Sequence, residues 1–281
     1  MNLLTFRASE LESGNLIRVS GDRARYMFDV QGLSEGSIVR IGEIDGNQGV
    51  GRIVEICAES LVVRVENMPE RCIRPRIDLI LALPRPQMLK HVFQTVAMIG
   101  VDHLMLIRAR RVEKSYFSSP VLEPEKVFYY LRLGLEQAVV TALPHVSIHK
   151  RFMKFVDDDY PGHEAEYFSK RQAVERLVAH PRAEAELSQV AVEEGLGTGQ
   201  HLVLAIGPEG GWDDFEVEQF SRLGFLPFSN GTRILRVEQA VSGLLSQLSL
   251  LQQMNASESI GDDSMSSARL GFSPWALNRN E

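Results

Sequence analysis

Residues 201–220 read HLVLAIGPEGGWDDFEVEQF, and this stretch decides the fold. After His201 the run to Ile206 is unbroken apolar sequence, the mark of a short strand covered on both faces. Gly207-Pro208-Glu209-Gly210-Gly211 follows at once. Asp213-Asp214 then stands where a side chain caps the start of a helix, here Phe215–Leu223. Strand, glycine turn and helix in that order make one βα unit of a parallel sheet. The turn falls at the carboxyl end of its strand, where such sheets bind ligands. Three glycines in five positions let backbone approach a ligand closely. A plain strand–helix connection is the alternative reading, and it needs fewer of them.

The same rhythm extends both ways. Downstream lie a strand at Phe225–Phe228, the turn Ser229-Asn230-Gly231-Thr232, and a last helix at Val237–Met254. Upstream, Ile77–Leu83 and Val101–Ile107 read as strands. Between them runs a helix at Met88–Ile99, with Leu89, Val92, Phe93, Val96 and Ile99 on one stripe. Pro124–Leu143 reads as a helix stopped before Pro144, and Val146–Ile148 as a strand. An acidic loop, Asp157-Asp158-Asp159, precedes helix-like Gln172–Arg176 and a strand at Leu177–Ala179. Strands alternating with helices predict an α/β fold with a mostly parallel sheet. The first seventy residues differ. Ser37–Ile44, Gly51–Ile56 and Leu61–Val65 alternate, with a tight turn at Asp45-Gly46-Asn47 and Arg40, Arg52 and Arg64 in the outward register. That pattern suggests a small barrel with one wet face, with Cys57 as a buried small hydrophobe at a strand end. The pattern breaks at Pro69–Pro75. The expected organisation is therefore a β domain over 1–74, an α/β domain over 75–254, and a disordered Ser-, Asp- and Asn-rich tail over 255–281.

The 281 residues are 44% hydrophobic and 24% charged, enough for a core without disulfide or metal staples. No apolar run approaches a membrane span, and the first residues lack the apolar region of a signal peptide. Two cysteines, Cys57 and Cys72, fit a reducing compartment, so a cytoplasmic protein is expected. The net charge of -7 hides a split. Residues 1–80 carry 10 Arg against 12 acids, residues 81–155 carry 11 basic against 5 acidic residues, and residues 156–281 carry 9 against 20. The basic run Arg108, Arg110, Arg111 and Lys114 lies in the positive middle and is a candidate phosphate- or RNA-binding face, or simply a solvated one.

Several chemistries are unsupported. There is no GxxxxGK[ST] phosphate loop, no HExxH and no GxSxG elbow. The seven histidines are scattered along the chain and read as structural or exposed, and no metal site is expected. Gly195-Leu-Gly-Thr-Gly199 lacks the strand before and helix after that a dinucleotide loop requires, and reads as a loop. Arg233, Arg236 and Glu238 around the second glycine turn can bind an anion and brace one another; an ordinary helix start is the alternative.

AIGPEGGWDDFEVEQFSRLGF followed by NGTRILRVEQA closely resembles the C-terminal motifs of the bacterial RsmE-type enzymes. These are 16S ribosomal RNA uridine-N3 methyltransferases of the SPOUT superfamily. RLVAHPRA (Arg176–Ala183) and LEQA (Leu135–Ala138) are similar to two earlier motifs of that family, and the N-terminal β region to its PUA-like RNA-binding domain. The resemblance implies a SPOUT-type α/β trefoil-knot domain behind a PUA-like β-barrel, a homodimer, and S-adenosylmethionine as cofactor. Three loops would hold the cofactor: Ala179, His180 and Pro181; Ile206, Gly207, Pro208, Glu209, Gly210 and Gly211; and Ser229, Asn230, Gly231, Ile234, Leu235 and Arg236. Arg236 and Glu238 are the candidate catalytic pair. An Arg aimed at the uracil oxygens would stabilise the anion left when N3 loses its proton, with Glu238 orienting it or relaying that proton.

Some positions depart from the family pattern. Val139, Val140 and Thr141 follow Glu136-Gln137 where an Arg is usual, and Asn230-Gly231 and Glu238-Gln239 replace Leu-Gly and Glu-Thr. Two readings stay open: a ribosomal RNA methyltransferase, and an RNA-binding paralogue with altered target or lost catalysis. The last helix bears on the dimer. Val237, Val241, Leu244, Leu248 and Leu251 form a stripe, and no charge occurs between Glu238 and Glu258. It is read as buried twice, on its own sheet and on a second copy with Leu244 and Leu248 outward; a core helix within one chain is the alternative.

Overall fold

A computed structural model of the chain describes residues 2–57, 59–168, 173–197 and 200–258. The N-terminal part is a six-stranded mixed sheet of β1 (Leu4–Phe6), β2 (Leu11–Glu12), β3 (Leu16–Ser20), β4 (Ile38–Glu43), β5 (Gln48–Ile56) and β6 (Ser60–Glu70), in the order β1-β4-β5-β6-β3-β2. A one-turn helix, α1 (Asp22–Arg25), and a wider turn at Tyr26–Val30 interrupt it. Alternation has its expected consequence: Ile17, Val19, Ile41, Ile53, Leu61 and Val63 form one buried core, while Arg52 and Arg64 face water. Cys57 is a correction. It is exposed, with its thiol donating to Glu55 Oε1 at 3.2 Å, because the strand has ended at Ile56 and Cys57 falls beyond it. β6 also runs through Pro69 to Glu70, so the chain leaves this sheet just inside the start of the expected break.

From Ile77 the chain builds a second sheet in which every recorded pairing is parallel. Its elements are β7 (Ile77–Ala82), α2 (Pro86–Ile99), β8 (His103–Ile107), α3 (Pro124–Ala138), β9 (His145–His149), α4 (Phe152–Lys154), α5 (Tyr160–Tyr167), β10 (Val174–Ala179), α6 (Leu187–Glu193), β11 (His201–Ile206), α7 (Asp214–Arg222), β12 (Leu226–Phe228) and α8 (Val237–Glu258). The strand order is β12-β10-β11-β7-β8-β9. The central strands β7, β8 and β11 are buried at every position, as continuous apolar runs require.

Four local readings change. α3 ends at Ala138, with Val139 in the left-handed region at φ 60°, instead of running to Leu143. Residues 139–143 are needed elsewhere: Asp45 N–H donates to the Thr141 carbonyl, Thr141 Oγ1 to Gly46 O, and Leu143 N–H to Asp45 Oδ1. These bonds pin the first sheet to the second. The acidic triplet Asp157–Asp159 is not a loop but a wide helical turn between α4 and α5. Strand replaces helix at Val174–Arg176, because their partners His201–Val203 extend the ladder that far; Gln172 lies outside the described residues. Asn255–Glu258 continue α8, and the rest of the expected tail, 259–281, lies outside the described residues.

α8 packs along α2 and β11. Val241, Leu244, Leu245 and Leu248 are buried in the chain's own core. Leu244 and Leu248 therefore do not face outward, because α2 and the sheet already close over that stripe. The outward side carries Ser246, Gln247 and Leu250. Among the described residues no helix is long and apolar enough to cross a membrane.

Candidate functional site

Three loops at the carboxyl ends of β10, β11 and β12 close around one cleft of about 680 Å³, counting its open mouth. Ala179, His180 and Pro181 come from the first loop, Ile206, Gly207, Pro208, Glu209 and Gly211 from the second, and Asn230, Gly231, Ile234 and Leu235 from the third. Phe228, Arg233, Val237, Ala240 and Leu244 complete the wall. The last three come from the first turns of α8, whose apolar stripe signalled packing but not this cleft.

The glycine loop is held rigidly from behind. Asp213 caps α7 by accepting from Glu216 N–H at 2.8 Å, while Glu216 accepts in return from Asp213 N–H at 2.9 Å. Glu216 is buried, and its other oxygen accepts from Arg110 N–H at 2.6 Å. Arg111 donates to the Gly210 and Gly211 carbonyls. A Cβ on Gly210 would come within 2.9 Å of the Arg111 side chain, and one on Gly207 within 3.1 Å of Trp212 N. Gly211 and Gly231 have positive φ, 71° and 75°, where a side chain is strained. Glu209 reaches away to Arg85 N–H at 3.2 Å. The loop is thus backbone drawn tight against neighbouring residues, with its glycines serving that approach.

Three residues expected to line the cleft do not. Gly210 turns its carbonyl to Arg111. Ser229 is buried and anchors the third loop, its N–H donating to Ala185 O and its carbonyl accepting from Leu187 N–H. Arg236 is exposed at the start of α8, where its carbonyl accepts from Ala240 N–H. Among the described residues no ion pair joins Arg236 to Glu238. His180 Nδ1 is buried at the cleft without a hydrogen-bond partner among the described residues, and burial, then Arg182, pushes the imidazole pKa down. The basic run divides. Arg110 and Arg111 serve the glycine loop, with Arg110 also paired to Asp213 at 3.2 Å, while Arg108 is half-buried and Lys114 exposed.

Three of the seven histidines, far apart in sequence, meet in space. At the amino ends of β7, β8 and β11, Asp78 is fully buried and accepts from His103 N–H at 3.2 Å and from His163 Nε2 at 3.0 Å. His103 Nδ1 lies 3.4 Å away and His201 Nε2 2.9 Å away. Burial alone would push the Asp78 carboxyl up, but hydrogen bonds from the three imidazoles outweigh it and hold it well below the usual carboxylate range. No spacing rule could have found this cluster, since its members are 25 to 123 residues from Asp78.

The RNA methyltransferase domain family matches residues 72–249. The chain is 28% identical over 244 residues to ribosomal RNA small subunit methyltransferase E of Treponema pallidum (strain Nichols), covering 85% of this chain and 87% of that protein. It is 20% identical over 240 residues to ribosomal RNA small subunit methyltransferase E 1 of Borreliella burgdorferi, covering 85% and 94%. In structure it resembles a ribosomal RNA small subunit methyltransferase E from Neisseria gonorrhoeae, solved bound to S-adenosyl methionine. The TM-score is 0.67 at 17% identity, over 89% of this chain and 98% of that one. At that identity the likeness speaks for the fold.

Proposed function

The chain belongs to the RNA methyltransferase domain family, and from that premise we propose that it methylates N3 of a uridine in small-subunit (16S) ribosomal RNA in the cytoplasm, using S-adenosylmethionine. The observation that carries this reading is the convergence of the three motif loops on one cleft at the carboxyl ends of parallel strands. The cleft suits such a donor. Ile206, Ile234, Leu235 and Leu244 offer apolar wall, the glycine loop offers backbone at close range, and buried His180 Nδ1 still lacks a partner among the described residues.

Bound there, S-adenosylmethionine supplies an electrophilic methyl group. The chain's own task is then positioning and charge. Arg236, exposed at the end of the third loop, would meet the uracil oxygens and stabilise the negative charge left when N3 loses its proton. Glu238, in the first turn of α8, accepts that proton or orients Arg236 once RNA is bound. RNA would lie across the N-terminal sheet, as on a PUA-like barrel, and along Arg108–Lys114, with Arg110 and Arg111 linking RNA contact to the glycine loop. The parallel sheet would carry the trefoil knot of SPOUT enzymes. A second copy would pack on the exposed side of α8, with Leu250 at its centre, as a homodimer. Sedimentation showing an active monomer would remove that part of the reading.

The test is methyl incorporation from labelled donor into 16S ribosomal RNA, followed by mass spectrometry of its nucleosides. N3-methyluridine is expected. RNA bound with no methyl transferred would favour the non-catalytic paralogue, which the departures at Val139–Thr141 motivate.

A further inference from the structure

We infer that Asp78, His103 and His163 form a binding site for one divalent transition cation of zinc's class, at the end of the sheet opposite the cofactor cleft. One donor atom from each residue can be chosen so that all three lie within 4.8 Å of one another. Asp78 Oδ1 lies 3.4 Å from His103 Nδ1, and its other oxygen, Oδ2, 3.0 Å from His163 Nε2. Donors on a tetrahedron with metal–ligand distances of about 2.0–2.1 Å stand roughly 3.3 Å apart, so the side chains are already near ligand spacing. Two imidazoles and one carboxylate are a zinc-type donor set.

Three further observations support an ion over a set of hydrogen bonds. First, the Asp78 carboxyl lies at 0% exposure among imidazoles, and a divalent cation there would compensate a carboxylate charge directly. Second, His103 is more than nine-tenths buried and its Nε2 has no hydrogen-bond partner among the described residues, so the ring meets the cluster through Nδ1, the nitrogen that an ion beside Asp78 would take. Third, the outer supports of a metal site are present. His201 Nε2 lies 2.9 Å from Asp78 Oδ1 and fixes the carboxylate, while the rings of Tyr167 and His145 lie 4.3 and 5.0 Å from that of His103. Such partners orient ligands and tune affinity. A cleft lined by His103, His145, His149, His163 and Glu166 opens beside the cluster. It provides an entry path and room for water in a fourth position. The ion would tie β7, β8 and α5 together, so binding to the folded chain alone should raise its stability.

The experiment uses the untagged full chain, stripped by a chelator and titrated with zinc chloride and then cobalt chloride. The expected result is one ion per chain, intense visible cobalt bands of a tetrahedral site, and a higher Tm with metal. Asp78→Asn and His163→Ala should each weaken binding by at least about 100-fold, with circular dichroism showing the fold retained. His163 lies on a surface helix, so its variant carries the test if Asp78→Asn does not fold. Donor affinity should stay unchanged in both, which separates this inference from the proposed methyl transfer. No binding tighter than millimolar, or stoichiometric binding that survives both substitutions, would overturn the assignment.

Discussion

The two ends of the parallel sheet are built from the same strands by opposite means. At the carboxyl ends, the proposed cofactor site rests on consecutive backbone: Ile206 to Gly211 and Asn230 to Leu235 each contribute a loop to one cleft, and the side chains behind them hold the loops still. At the amino ends, the chemistry is carried by side chains from β7, β8, β11 and α5, each supplying one group to a buried carboxylate. A backbone site writes itself into a contiguous motif. A side-chain site assembled across strands leaves no local trace, and only the fold reveals it.

If that contrast is right, damage at one end should leave the other intact. The largest effect is expected at Arg236. Replacing it with Ala should slow methyl transfer by roughly 10²–10³-fold, the cost of one lost charge-stabilising donor. Donor affinity and thermal stability should stay near wild type, because Arg236 is exposed. Steady-state rates with 16S ribosomal RNA check this; an unchanged rate would make Arg236 structural.

Next in size is Gly210→Val. Its Cβ would press on Arg111, which donates to the Gly210 carbonyl. Donor affinity should fall by about 100-fold by calorimetry, while overpacking costs the fold about 1–3 kcal/mol. Normal donor binding would show that this loop does not hold the cofactor.

The opposite end gives the converse. Asp78→Asn leaves buried imidazole donors facing an amide, an expected loss of about 1–3 kcal/mol in chemical denaturation. Donor affinity should be unchanged. A matching fall in donor affinity would mean that the two ends are coupled, and the contrast would fail.

How much was legible follows the same division. β11 was read to the residue from its unbroken apolar run, and α7 to within one residue from the Asp213 cap, because burial and capping are local signals. The end of α3 was not legible, since Val139 turns left-handed to meet the Asp45–Gly46 turn nearly a hundred residues away. The stripe on α8 was seen and read as packing partly on its own sheet, but Leu244 and Leu248 were given to a second copy: periodicity shows that a face is buried without saying what covers each position, and both lie in the chain's own core. Twelve of the candidate cofactor residues line one cleft, whereas the histidine cluster was invisible because its geometry belongs to the sheet.

The smallest expected effect concerns His180, a titratable group on the wall of the proposed cofactor cleft. Burial, reinforced by Arg182, lowers its pKa from 6.5, so the folded chain prefers the neutral ring. Above pH 6.5 the ring is neutral whether the chain is folded or not, and it has no effect on stability. As pH falls through 6.5 the unfolded chain takes up the proton first, so stability declines until the folded ring also protonates at its lower pKa. Donor binding should follow the same direction. The methyl donor is a sulfonium cation, and an imidazolium on the cleft wall repels it. Like charges about 4 Å apart in watery surroundings cost about 1 kcal/mol, roughly fivefold in affinity. Calorimetry should therefore show affinity flat through pH 6.5 and falling only as pH approaches the lowered pKa of the folded ring, with His180→Gln removing the portion of the fall that belongs to this ring. An identical profile in the variant would mean that His180 does not face the donor. The cofactor end would then be a site of backbone alone, and its contrast with the histidine end would be sharper still.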